Sequence, residues 1–125
     1  MKEGFYSGKV LDMWFEEGFF CGTYKVEDVD LNVAKLATQE RLAFIKGVAY
    51  PCLADYTKVK STTKAARDFF ATEEASSLMK SLAVLTDSSL GKVIVNFYLQ
   101  ISKPTFPTKL FTDREEALTW LRKFK

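Results

Sequence analysis

Hydroxyl and cationic side chains gather between residues 58 and 67, where the sequence reads Lys-Val-Lys-Ser-Thr-Thr-Lys-Ala-Ala-Arg. A helix is predicted to begin near residue 64. Because a helix N-terminus presents unpaired N–H groups and a partial positive charge, hydroxyls and cations placed there form a candidate site for an anion or for phosphorylation. The candidate residues are Ser61, Thr62, Thr63 and Lys64. The alternative is that Thr62 or Thr63 is an N-cap and the lysines keep a surface loop solvated.

Asp55 is the carboxylate nearest to this segment, directly after the apolar residues 50–54. Open α/β sheets place ligands at the carboxyl ends of parallel strands, so Asp55 joins the candidate anion or phosphorylation site. The alternative is a loop-bracing role, in which the carboxylate accepts hydrogen bonds from neighbouring backbone groups.

The sequence contains no histidine and two cysteines, Cys21 and Cys52. Imidazole-activated nucleophiles are therefore excluded, and so is a closed tetrahedral zinc site. The acidic pairs at 73–74 and 115–116 are adjacent on predicted helices and point in different directions, which makes them poor acid/base pairs. We expect no catalytic residues, no metal and no cofactor, and hence a protein that is not an enzyme.

Residues 89–102 are predicted to form a helix with more apolar surface than one sheet can cover. Its polar residues, Lys92, Asn96, Gln100 and Lys103, follow a single narrow stripe. The apolar surplus is a candidate interface with a second subunit, a surface for an apolar ligand, or a face covered by the chain itself. The candidate residues are Val93, Val95, Phe97, Tyr98, Leu99 and Ile101.

The charge distribution limits the choice of partners. The net charge is +2, from 18 basic and 16 acidic residues spread along the 125-residue chain. A nearly balanced surface cannot supply the counterion release that drives nucleic-acid binding, so we expect no nucleic-acid partner.

The apolar cysteine-containing segments favour buried thiols. No segment has the length of a membrane span or the pattern of a leader peptide, and we expect a cytoplasmic protein.

The order of predicted elements indicates one α/β domain over residues 1–125. Two β-rich segments, 9–16 and 19–25, flank a Glu-Gly pair and predict a hairpin, with residues 5–6 as a further edge. Asp28 or Asp30 caps a helix over 31–46. Strand and helix then alternate, with strands at 50–55, 81–87 and 108–111. Helices are expected from 64 towards 72, with a continuation to 79 that allows for a break, over 89–102, and after a Thr112–Glu115 capping box. Such alternation predicts a largely parallel sheet packed with helices.

Three stretches, 50–67, 82–90 and 103–121, resemble the STAS domain. They are most similar to the small uncharacterised SpoIIAA-like proteins of the STAS/Sec14 type. The resemblance covers most of residues 9–124 and implies the fold of bacterial anti-sigma-factor antagonists. It also implies a non-catalytic regulatory or interaction module that works through a protein partner or a homodimer. The fold family includes proteins that bind small ligands, so a lipid, nucleotide or other anion-bearing apolar molecule is the alternative.

In the antagonist family, a partner kinase phosphorylates a serine at the helix start that follows an Asp-containing loop. Residues 55–64 match that place here. The family's Asp-Ser-Ser-Gly sequence is absent from this loop, although Ser61, Thr62 and Thr63 offer hydroxyls. A similar run over residues 87–91 follows the next strand instead, and we interpret it as a helix cap.

Overall fold

The computed structural model describes residues 3–87 and 106–125. Alternating and continuous apolar segments form a sheet of six strands, and two shorter strands pair beside it. In chain order the strands are β1 (Glu3–Ser7), β2 (Leu11–Glu16), β3 (Phe19–Tyr24), β4 (Asp28–Val29), β5 (Tyr50–Asp55), β6 (Ser61–Thr62), β7 (Met79–Leu85) and β8 (Thr108–Phe111).

The sheet order is β1-β2-β3-β5-β7-β8, and β4 pairs with β6. The pairs β1–β2 and β2–β3 are antiparallel, whereas β3–β5, β5–β7 and β7–β8 are parallel. The expected N-terminal hairpin, its further edge strand and the largely parallel sheet are confirmed.

The turn between β2 and β3 is built by Glu17 and Gly18, with φ angles of 54° and 81°. Positive φ at both central residues defines a type I′ turn, whose twist matches that of the flanking strands. Glycine adopts this conformation without steric cost, so Gly18 makes the tight connection feasible.

Four α-helices are described: α1 (Leu31–Ile45), α2 (Lys64–Phe70), α3 (Glu73–Ser76) and α4 (Arg114–Leu121), followed by a 3₁₀ turn (Arg122–Phe124). Asp30 caps α1 by accepting a hydrogen bond from the backbone N–H of Val33 at 2.8 Å. The break allowed in the second predicted helix lies between α2 and α3, and the helical continuation ends at Ser76, three residues short of the expected Met79. Leu78 has a φ of 63°, and Met79 starts β7 two residues earlier than the predicted strand.

The predicted capping box at the last helix was also wrong. Asp113, not Thr112, is the N-cap, and its Oδ1 accepts from the backbone N–H of Glu115 at 3.1 Å. The helix therefore begins one residue later than expected. Asp is at least as good an N-cap as Thr, because its short carboxylate reaches the first-turn N–H groups and favours the positive end of the helix dipole.

The two faces of the sheet carry separate apolar clusters. Met13, Phe20 and Cys52 point towards α1 and α2, whereas Phe19, Cys21 and Leu53 point towards α4. Successive strand residues face opposite sides, so the apolar runs in β3 and β5 serve both layers. The result is a sheet sandwiched between α1–α3 on one face and α4 on the other.

Glu40 ties α1 to the start of β2. Its carboxylate accepts hydrogen bonds from the backbone N–H groups of Lys9, Val10 and Leu11, with shortest distances of 2.7, 3.2 and 3.0 Å. Lys9 and Val10 lie in the connection between β1 and β2, and Leu11 is the first residue of β2, so Glu40 supplies an acceptor to three successive backbone donors. One side chain therefore fixes the entry of the chain into the sheet.

Glu40→Ala is expected to lower the free energy of unfolding by about 1.5–3 kcal/mol, because hydrogen bonds to a charged acceptor are lost and donors are left unpaired. Urea unfolding followed by circular dichroism measures this. Gln39→Ala, at the adjacent exposed position, is the control and should change stability by less than about 0.5 kcal/mol. Equal effects of the two changes would contradict the role given to Glu40.

Two arginines of the C-terminal region hold the hairpin. Arg114 Nη2 lies 2.6 Å from Glu16 Oε1, and Arg122 makes two hydrogen bonds of 2.9 Å to the carboxylate of Glu17. The hydrogen bond from Arg114 lowers the pKa of Glu16 below its ordinary value of 4.5, more than burial raises it. The hairpin turn is thereby anchored to α4.

The lowered pKa of Glu16 makes a pH-dependent contribution to stability. The contribution is complete above pH 4.5 and is lost as pH falls through the folded-state pKa below that value. Glu16→Gln is expected to cost roughly 1 kcal/mol at pH 7, with the difference from wild type shrinking below pH 4.5. Unfolding curves from pH 7 down to pH 3 test this, and a constant difference over that range would contradict it.

None of the helices within residues 3–87 and 106–125 has the length and apolar character required to cross a membrane. The predicted helix over 89–102 and its candidate interface residues lie outside the described residues. Those residues are Val93, Val95, Phe97, Tyr98, Leu99 and Ile101.

Candidate functional site

Two of the hydroxyls predicted to bind an anion, those of Ser61 and Thr63, make hydrogen bonds within the chain. Ser61 donates to Asp28 Oδ1 at 2.6 Å, and Thr63 is the N-cap of α2, accepting from the backbone N–H of Ala66 at 3.2 Å. The ammonium of Lys64 lies 2.8 Å from Asp68, one helical turn further on. These groups serve the start of a seven-residue helix, and they do not converge on a common point.

Asp55 braces its own loop. Its Oδ1 accepts from the backbone N–H of Thr57 at 2.9 Å and from the hydroxyl of Thr57 at 2.7 Å. These are the contacts of the loop-bracing alternative for Asp55. Thr62 is the predicted site residue that lines a cavity of the protein, and it is half-buried there.

The cavity has a volume of about 130 Å³ and lies between the sheet and the helices α1, α2 and α3. Its floor is the face of the sheet that packs against those helices. Most of its wall is apolar or aromatic. The aromatic residues in the wall are Phe20, Tyr24, Tyr56, Phe70 and Phe106.

Arg41 is the unusual member of this wall. It projects from α1, and only 4% of its surface is exposed. Its Nη2 donates to the backbone carbonyl of Ala75 in α3 at 3.0 Å, whereas Nη1 has no hydrogen-bond partner among the described residues. A buried polar group without a partner costs free energy, and a charged group costs more. The guanidinium thus offers an unused donor at the edge of an apolar cavity.

No described carboxylate neutralises Arg41. The adjacent Glu40 points to the β1–β2 connection, where it accepts from backbone N–H groups. Within the described part of the wall, Arg67 is a second cation and no acidic residue is present. Arg67 Nη1 donates to the carbonyl of Thr62 at 2.5 Å. The local charge of the cavity is therefore positive.

Burial shifts the titration of the groups around Arg41. It lowers the pKa of Arg41, raises that of Cys52 to about 12, and raises that of Tyr24. At neutral pH the thiol and the phenol are therefore neutral, and neither provides a counter-charge. The cavity can bind and orient an anion, but these two groups are not activated as nucleophile or base.

Neither Arg41 nor its cavity was predicted from the sequence. The signal was present in α1, where the buried residues Ala34, Ala37, Thr38 and Ile45 flank Arg41 at helical spacing. Counting in steps of three and four along this face places position 41 inside. The predicted apolar face contained Val33, Leu36, Ala37, Phe44 and Ile45; Ala37 and Ile45 are buried, whereas the other three are half-buried.

Comparison with known proteins bears on the family and the fold. The family model described as "Domain of unknown function (DUF7793)" matches residues 13–125. The chain belongs to this family. No curated protein matches its sequence. Membership of the DUF7793 family therefore leaves the function to be inferred from the geometry of the chain itself.

One structural neighbour is a crystal structure of an uncharacterised protein of the DUF3478 family, with a SpoIIAA-like fold, from Shewanella loihica PV-4. The two share 16% sequence identity with a TM-score of 0.66, and the match covers 94% of this chain and 99% of the other. The SpoIIAA-like fold expected from the sequence is confirmed. At this identity the likeness concerns the fold alone.

Proposed function

We propose that this DUF7793 domain is a non-catalytic module that binds a small, anion-bearing apolar ligand in the cavity beside Arg41. The observation that carries the proposal is a guanidinium with 4% of its surface exposed whose Nη1 has no hydrogen-bond partner within residues 3–87 and 106–125. An unpaired buried charge is strongly unfavourable, and a bound anion supplies the missing partner. The apolar wall supplies the contacts for the rest of the ligand.

The chemistry of the surrounding groups supports binding rather than turnover. The sequence has no histidine, and burial keeps Cys52 and Tyr24 protonated at neutral pH. The carboxylates of Glu16, Glu40 and Asp55 accept hydrogen bonds from arginine, backbone or threonine donors. Within the described ranges, no group of three side chains suits a metal ion. Cys21 and Cys52 are buried and form no disulfide, which supports a cytoplasmic location, where thiols stay reduced.

Native mass spectrometry of gently purified protein tests the proposal. We expect a mass above the 14.2 kDa of the polypeptide, and we expect acid denaturation to release the excess as one small molecule. Arg41→Met purified in parallel should carry no excess, whereas Arg122→Met, at an exposed arginine that pairs with Glu17, should retain it. An excess that persists in Arg41→Met would contradict the proposal.

A second candidate is self-association or contact with a protein partner through β1. This strand lies at the edge of the sheet, and all five of its residues are exposed. Phe5 and Tyr6 expose 57% and 58% of their surfaces, and exposed aromatics on a free edge favour strand pairing with another chain. The register irregularity between Glu3 and Tyr6 weakens such pairing, which is why this candidate ranks second.

The same mass spectra report the subunit count. Pairing through β1 predicts a dimer that Tyr6→Lys disrupts, while Lys80→Ala, at an exposed position of β7, leaves it intact. A monomer at high micromolar concentration would contradict the homodimer.

A further inference from the structure

We propose that the ligand of the Arg41 cavity is a small aromatic carboxylate, an inference that rests on the proposed function and specifies its substrate class. Three observations lead to it: the size of the cavity, the aromatic character of its wall, and the number of donors available to the anion.

Size limits the apolar part of the ligand. The cavity measures about 130 Å³, close to the roughly 150 Å³ of an engineered protein cavity that binds benzene. One six-membered ring fits this space, whereas a long acyl chain does not. The ligand is therefore a single ring or a body of similar volume.

The wall favours a ring. Phe20 and Tyr24 of β3, Tyr56 after β5 and Phe70 of α2 all border the cavity. Tyr24 and Tyr56 already pack edge-to-face with ring centroids 4.6 Å apart. A flat aromatic occupant adds further offset or edge contacts to such a wall, which an aliphatic body of equal volume cannot make.

The donors favour a carboxylate over a phosphate. Nη2 of Arg41 is bound to the Ala75 carbonyl, which leaves Nη1 as the terminal nitrogen without a partner in the part of the chain that the structure describes. Arg67 Nη1 is engaged by the Thr62 carbonyl. A phosphate brings three acceptor oxygens and a charge of nearly −2 into the cavity. A monoanionic carboxylate needs fewer donors and matches the single buried guanidinium.

Isothermal titration calorimetry of the full chain with benzoate tests this inference. The comparison ligands are octanoate, inorganic phosphate and toluene. We expect saturable one-to-one binding of benzoate, at least about 10-fold weaker binding of toluene, and no saturable binding of octanoate or phosphate. Arg41→Met should weaken benzoate at least about 30-fold, because it removes the partner of a buried charge. Arg122→Met should bind as wild type does.

Arg41→Lys provides a second variant, with folding checked by circular dichroism. It retains the charge but not the planar fork, and should bind benzoate more weakly than wild type. If toluene bound as tightly as benzoate, the inference that the ligand carries a carboxylate would be overturned. If the protein bound octanoate or phosphate through Arg41 but did not bind benzoate, the inference that the ligand is an aromatic carboxylate would be overturned. The proposed function would still stand. If none of the four probes bound and native spectra showed the bare polypeptide, the proposed function itself would fail.

Discussion

Phe19→Ala is expected to lower the free energy of unfolding by about 3–5 kcal/mol. Phe19 has no exposed surface and belongs to the cluster between the sheet and α4, with Leu118 and Leu121. Truncation removes the transfer free energy of a benzyl group and leaves a cavity that a close-packed layer cannot fill. Because small domains have only about 5–15 kcal/mol of total stability, the change should be obvious in urea unfolding.

Phe5→Ala is the matched control, measured at low micromolar concentration. Phe5 is 57% exposed and stacks on Trp14 with ring centroids 6.2 Å apart. Its loss should cost less than about 1 kcal/mol. If Phe19→Ala also cost less than about 1 kcal/mol, α4 would not cover the face of the sheet that carries Phe19.

Arg41→Met is expected to stabilise the ligand-free protein by about 1–4 kcal/mol, since exchanging buried charge for an apolar side chain of similar volume relieves desolvation. The donor to the Ala75 carbonyl is lost at the same time, which reduces the gain. If Arg41→Met is more stable but no longer binds the ligand, Arg41 serves binding at the expense of stability. Urea unfolding of ligand-stripped protein measures the change.

Arg67→Met provides the comparison, because Arg67 also donates to a backbone carbonyl, that of Thr62. Arg67 is only half-buried, so little desolvation is relieved, and we expect a loss of about 0.5–1.5 kcal/mol from the missing hydrogen bond. The two substitutions should therefore have opposite signs. Destabilisation by Arg41→Met equal to that by Arg67→Met would contradict an uncompensated charge at Arg41.

The predicted anion site and the Arg41 cavity share Thr62 but are otherwise built from different residues. The sequence drew attention to Ser61, Thr63 and Lys64 because their types and spacing resemble a helix-start anion site. Ser61 is bonded to Asp28, 33 positions away, whereas Thr63 and Lys64 have partners three and four positions further on. Arg41 shares α1 with a second cation, Lys35, and its place in the sequence does not mark it as a binding residue. Its unused donor appears only when α3 and the sheet are packed around it.

Local features were predictable because their causes lie within a few residues. The Glu17–Gly18 turn, the Asp30 cap and the alternation along β3 depend on backbone sterics, nearby donors and a period of two. With strands and helices in alternation, the preference for right-handed crossovers was enough to indicate a largely parallel sheet. The SpoIIAA-like fold was expected from the resemblance of three stretches to the STAS domain.

The tertiary structure alone decided which distant side chains meet. Glu40 binds backbone donors some 30 positions away and is thereby removed from Arg41, its neighbour in sequence. Arg41 reaches Ala75, 34 positions along the chain. Such contacts depend on how helices cross the sheet and on strand register, and no short-range pattern encodes them. The sequence by itself determined the layers and their order, whereas the cavity and its unpaired cation exist only because folding brings α1, α3 and the sheet together.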